Sequence, residues 1–90
     1  MKLFMIHVGF YDPEISDGVC EFHTNYFIVA EDAKAAKSKV MAESVFQNKK
    51  MHIDGIRELT IVDGYRIGLE KVNAEDSQNE VYGYSAAKAL

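Results

Sequence analysis

A single cysteine, Cys20, leaves no partner for an internal disulfide and fits a reducing compartment. Long apolar runs are also missing. The opening MKLFMIHVGF is interrupted by Lys2 and His7, shows no small-residue cleavage site and is too short to span a bilayer. It reads as a buried strand of a cytoplasmic protein with no membrane partner. Basic clusters are absent too. Lys49-Lys50 is the densest positive spot in a chain of formal charge -4, so no nucleic-acid partner is expected. No HExxH or CxxC is present, and no glycine-rich loop opens a helix, which removes the common metal and nucleotide signatures. No catalytic motif is recognisable, so an enzymatic role stays open, and no cofactor is expected.

What is present suffices for a core. The 90 residues are 48% hydrophobic, with five Phe and five Tyr, enough for one domain without metal or disulfide staples. Lys2 to Phe10 alternates as a strand and is apolar on both sides, which places it centrally in a sheet. YDPEISDG, Tyr11 to Gly18, reads as a turn region, with Pro13 fixing its own φ. Val19 to Ala30 reads as the second strand. Asp32 offers a helix N-cap, and Ala33, Ala36 and Val40 recur at helical spacing up to about Glu43 or Gln47. MHIDG, Met51 to Gly55, is taken as a connector. Ile56 to Val62 and Tyr65 to Val72 then flank Asp63-Gly64, a strong hairpin signal because both turn residues need positive φ.

The fold class expected is α+β: one ββαββ unit over residues 1–72, ferredoxin-like in outline. Its four-stranded mixed sheet has the order 2-1-3-4 and carries one helix on one face. Residues 73–90 are expected to be a polar linker and a C-terminal segment that adds a short strand or helical turn. The helix connection makes strands two and three parallel.

If the first turn closes across Asp12 and Gly18, Phe4 faces Tyr26, Ile6 faces Thr24, Val8 faces Phe22 and Phe10 faces Cys20. That side is apolar and should lie under the helix, with the Cys20 thiol in the core. The opposite side pairs Leu3 with Phe27, Met5 with Asn25, His7 with His23 and Gly9 with Glu21. Directly opposed side chains have Cβ atoms roughly 4.5–5.5 Å apart, so this register makes the two histidines neighbours. One helix cannot cover both faces of the sheet. The helix-free face mixes apolar and ionisable groups, and such a surface calls for a cover: a second copy in a homodimer, another protein or a small ligand.

Several constellations on this map carry chemistry. His7, His23 and Glu21 could form a two-histidine, one-carboxylate metal site. The plainer and favoured reading is a histidine pair hydrogen-bonded on the sheet surface. Asp12, Glu14 and Asp17 could hold a hard cation, but their spacing is not that of an EF-hand, and turn chemistry accounts for them. His52 and Asp54 could orient one another, though no nucleophile stands nearby. The leading functional expectation is a binding or regulatory module that self-associates through the helix-free face. The alternative is a small-ligand or metal site around His7 and His23.

The segments MKLFMIHVGFYD, FHTNYFIVAEDAKAAK and KKMHIDGIRELTIVDGYRI resemble a bacterial family of unknown function, domain-of-unknown-function family 1543, over roughly residues 1 to 70. The resemblance implies small proteins or duplicated modules in which two copies pack together. It supplies no activity. It draws attention to His7, Asp12, His23, Asn25, His52 and Asp54, the polar positions that carry the likeness, to which the paired-strand argument adds Glu21 as a ligand candidate.

Overall fold

The most apolar segment of the chain takes the middle of the sheet. In a computed structural model that describes residues 1–73 and 79–90, strand β1 (Lys2–Tyr11) pairs antiparallel with β2 (Glu21–Ala30) on one side and with β3 (His52–Glu58) on the other. The order is therefore 2-1-3. β2 and β3 run parallel but do not touch, so both neighbouring pairs are antiparallel and the sheet is not the mixed one expected.

Between β1 and β2 the chain does more than turn. Pro13 opens one helical turn, α1 (Pro13–Ser16), and the Asp12 carboxylate caps it by accepting from the Glu14 N–H at 3.0 Å. Asp17 and Gly18, at φ of 53° and 74°, then close it in the left-handed region. This loop is longer than a simple turn, so pairing starts at Tyr11 and Glu21. His7 consequently faces Asn25, not His23, and Phe10 faces Phe22, not Cys20, a slip of two residues from the sequence-based register. Because side chains alternate with period two, an even slip leaves every residue on the expected face. Cys20 precedes β2 and is exposed, which corrects its expected place in the core.

One face of β1 makes the core. Phe4, Ile6 and Val8 are buried together with Ala30, Ala36, Val40, Phe46 and Met51. Helix α2 (Ala33–Met41) starts at Asp32, whose carboxylate accepts from the Ala35 N–H at 2.8 Å. Its small residue Ala36 lets the backbone lie close to the sheet. The single long helix expected is two: the chain breaks at Glu43, which is extended, and resumes as α3 (Ser44–Asn48). A straight helix that buries Ala36 and Val40 would carry Phe46 off the core side, and the break brings Phe46 in. Tyr26, packed against this core, donates to the Met51 sulfur at 3.7 Å.

The expected fourth strand does not join this sheet. MHIDG belongs to β3 rather than to a connector, and β3 ends at Glu58, opposite the beginning of β1. Asp63 and Gly64, both at positive φ, make the expected tight turn, and Ile61 faces Arg66 while Val62 faces Tyr65. That hairpin, β4 (Ile61–Val62) and β5 (Tyr65–Arg66), is a separate two-stranded sheet. Afterwards the chain crosses to line a hollow with Met1, Val29 and Lys39 through Leu69, Glu70 and Lys71, instead of running back along β3. The C-terminal segment forms the short helix α4 (Tyr84–Lys88), one of the two forms expected for it. Most of the polar stretch from Asn73 to Glu80, expected to be a loose linker, lies outside the described residues.

Candidate functional site

The face of the sheet away from α2 gathers all three histidines of the chain. β1 contributes His7, β2 contributes Glu21, His23 and Asn25, and β3 contributes His52 and Asp54. The register explains five of these: His7 pairs with Asn25, and Gly9 pairs with His23 on one side and His52 on the other. Tyr11 pairs with Glu21 and donates to its Oε2 at 3.4 Å.

Asp54 needs a further device. Ile6 pairs with Ile56 on the core face, so an unbroken ladder would turn residues 54 and 52 toward the core as well. A bulge between His7 and Val8 prevents this: His7 faces Gly55, Val8 faces Ile53, and Asp54 is the extra residue. The phase of β3 flips there. Ile53 stays packed against the core, while His52 and Asp54 join the histidine face.

Gly9 supplies the floor. A Cβ at this position would lie 2.6 Å from His52 Nε2 and 2.9 Å from Asp54 Oδ2, and closer still to Glu21 Oε1. The three side chains therefore converge over the one residue of β1 that has no side chain.

His52 donates from Nε2 to Glu21 Oε1 at 2.9 Å, and the same nitrogen lies 3.3 Å from Asp54 Oδ1. His23 Nε2 lies 3.1 Å from Glu21 Oε1 and 3.3 Å from Asp54 Oδ2. Each oxygen of Asp54 thus addresses a different histidine. His7 donates from Nδ1 to Asn25 Oδ1 at 2.8 Å, which keeps its Nε2 lone pair free. The His7 ring stacks on that of His23. Two groups of potential ligand atoms result, each within 4.8 Å: His7, His23 and Asp54, and Glu21, His52 and Asp54. The side chains of Glu21, His23, His52 and Asp54 are 31–49% exposed, so the cluster is reachable from solvent.

Six of the seven candidate residues come together: His7, Glu21, His23, Asn25, His52 and Asp54. Asp12 does not. It is 6% exposed, and its Oδ2 accepts from Lys49 Nζ at 2.5 Å on the other side of the loop. The hydrogen bond from Lys49 holds the Asp12 carboxyl below the usual carboxylate range, outweighing the burial that pushes it up. Sequence reasoning missed the floor at Gly9 and the union of His52 with the other two histidines. The alternation His52, Asp54 was the available signal, once MHIDG is read as strand.

Among the described residues no helix is long and apolar enough to cross a membrane. A family model described as Domain of Unknown Function (DUF1543) matches residues 18–69. The matched segment contains Glu21, His23, Asn25, His52 and Asp54. No curated protein and no solved structure matches the chain.

Proposed function

The chain belongs to the DUF1543 family, and on that premise we propose that it is a small binding module whose helix-free sheet face takes divalent transition-metal ions. The observation that supports this reading is the convergence of His7, His23, His52, Glu21 and Asp54 above Gly9. Mixed imidazole and carboxylate donors suit Zn²⁺, Ni²⁺, Mn²⁺ and Fe²⁺. Two groups of three ligands share Asp54, whose oxygens point apart toward His23 and His52, so the face offers two ion positions bridged by one carboxylate. Three protein ligands leave coordination positions open, as in sites that exchange ligands rather than in closed structural ones. Asn25 orients His7 in the way an outer hydrogen-bond partner orients a metal ligand.

A network of surface hydrogen bonds is the plainer account of the same contacts. Such a network would need neither a bulge that turns Asp54 outward nor a side-chain gap at Gly9. Calorimetric titration of the full chain with Zn²⁺, Ni²⁺ and Mn²⁺ separates the two. Binding by the wild type is expected, with loss in a His23→Ala, His52→Ala double variant. A wild type that binds none of the three more tightly than the variant refutes the reading.

Self-association through the same face is a second reading, favoured by Phe27, which stands there 64% exposed beside Val29 on β2. Analytical ultracentrifugation at micromolar concentration, with and without Zn²⁺, tests it. A monomer under both conditions removes it.

A further inference from the structure

Next to the histidine cluster, on the same face, lies a hollow of about 280 Å³ lined by Met5, His7, Gly55, Ile56 and Arg57. Its shape follows from the ladder. Met5 pairs with Arg57 and His7 pairs with Gly55, so two side chains of β1 face one arginine and one missing side chain of β3. A Cβ built at Gly55 would meet nothing within 4 Å, which makes this corner open space rather than a close approach. Gly55 and Arg57 lie on this face by plain alternation about Ile56, and the bulge beyond Gly55 brings Asp54 to the same face.

The hollow has one cation of its own. Among the described residues no carboxylate lies within ion-pair distance of Arg57. The far wall holds His7, whose bond to Asn25 through Nδ1 leaves its Nε2 lone pair free. A divalent ion held by His7, His23 and Asp54 carries net positive charge, because Asp54 supplies the only anionic ligand of the three. Open coordination positions on one wall and a guanidinium on the other describe a receptor for an oxyanion. A guanidinium fork matches the oxygens of a carboxylate or phosphate group, and a metal ion takes a further oxygen of the same group.

We infer that the hollow between His7 and Arg57 binds a small oxyanion group, a phosphate or a carboxylate, bridging the metal ion and the Arg57 guanidinium. The inference rests on the metal reading above, and its test fails separately from that reading. Co²⁺ in place of the native ion gives a visible absorption band that reports its coordination. The full chain is loaded with Co²⁺ and then titrated with inorganic phosphate in one arm and acetate in the other.

The expected result is a change in the Co²⁺ band with at least one of the two anions, the responding arm telling which group the hollow takes. Arg57→Gln is expected to weaken the anion by about tenfold or more, the loss of a charge-assisted pair. Arg57→Lys should recover only part of that loss, since the fork is gone while the charge remains. Arg57 is exposed, so neither change should disturb the core, and circular dichroism checks the fold. Failure of Co²⁺ to bind at all overturns the metal reading and this inference with it. A Co²⁺ band that neither anion alters, or an anion response equal in Arg57→Gln and wild type, overturns this inference alone.

Discussion

His7 and His23 lie one over the other, with ring centroids 5.1 Å apart and ring planes 5° from parallel, although neither is the other's partner in the strand ladder. The pair is diagonal: His7 sits opposite Asn25 and His23 opposite Gly9. Diagonal neighbours across a ladder are within reach of ring-sized side chains. The slip that separates the two in the ladder also gives His7 a hydrogen-bond partner. Directly opposed histidines would compete for one space, whereas here Asn25 holds one ring and the second packs against it.

Asn25 should therefore act on the metal through His7. Replacing Asn25 by Ala removes the acceptor that fixes the proton on His7 Nδ1. Outer-shell changes of this kind cost about 10–100-fold in metal affinity. Calorimetry with Zn²⁺ is expected to show a loss in that range, with thermal stability nearly unchanged because Asn25 is exposed. Unaltered affinity would remove His7 from the set of ligands.

Gly9→Ala should separate fold from site. The added methyl meets the ends of Glu21, His52 and Asp54, all side-chain tips that can swing away at little cost. The backbone of a strand glycine has more freedom to lose, so alanine offers about 0.5–1 kcal/mol in return. The variant is expected to melt no lower than the wild type and to lose metal binding. A variant that keeps wild-type affinity would show that the convergence over Gly9 is not the binding arrangement.

Much of the core face was legible in the sequence, because Phe4, Ile6 and Val8 alternate within a run too apolar for an edge. The order 2-1-3 followed from the same apolarity. The loop between β1 and β2 was not, since YDPEISDG carries turn residues throughout and nothing local shows that Pro13 starts a helical turn. That turn set the register. The histidine face survived the error only because the slip was even. His52 was misplaced for another reason: Met51 to Asp54 alternate, but the bulge at Asp54 shifts the phase before Gly55, so MHIDG does not read as one strand with the IRE that follows. The fourth strand failed because a good Asp-Gly turn specifies its own hairpin and says nothing about which sheet that hairpin joins.

The shared carboxylate makes a stoichiometric prediction. Asp54 belongs to both ligand groups, while Glu21 belongs to one. Glu21→Ala should leave one ion position intact, and Asp54→Ala should impair both. Zn²⁺ per chain, measured by calorimetry and by elemental analysis after dialysis, is expected to be halved in the first and lowest in the second. Equal effects of the two changes would show that Asp54 does not bridge.

The core prediction is independent of any ligand. Phe4 is 2% exposed and packs among Val8, Ala36 and Val40 in a domain of 90 residues, which has a small margin of stability. Phe4→Ala is expected to cost about 3–5 kcal/mol, from lost burial plus the cavity left behind. Urea denaturation followed by circular dichroism measures this. A cost below about 1 kcal/mol would mean that the helices collapse into the gap, which the packing of Phe46 and Met51 around the same cluster opposes.

Asp12 and Lys49 give the acid limit of the fold. The Lys49 ammonium, 2.5 Å from Asp12 Oδ2, lowers the carboxyl below its ordinary value of 3.8, aided by the Glu14 N–H. A carboxyl lowered on folding contributes stability that is fully present above its unfolded value. That contribution is lost as pH falls through 3.8 and then through the lower folded value. In Lys49→Met the cation is gone, and only the Glu14 N–H is left to answer the burial that opposes ionisation, so the Asp12 midpoint should rise. The variant is expected to be the less stable protein at neutral pH, with the gap narrowing as the solution is acidified past 3.8. Urea midpoints at a series of pH values measure the gap, and a carbon-detected titration of the Asp12 carboxyl follows the group itself. A gap independent of pH would show that Lys49 acts through packing on the Phe10 ring, 5.5 Å from its ammonium, and not through Asp12.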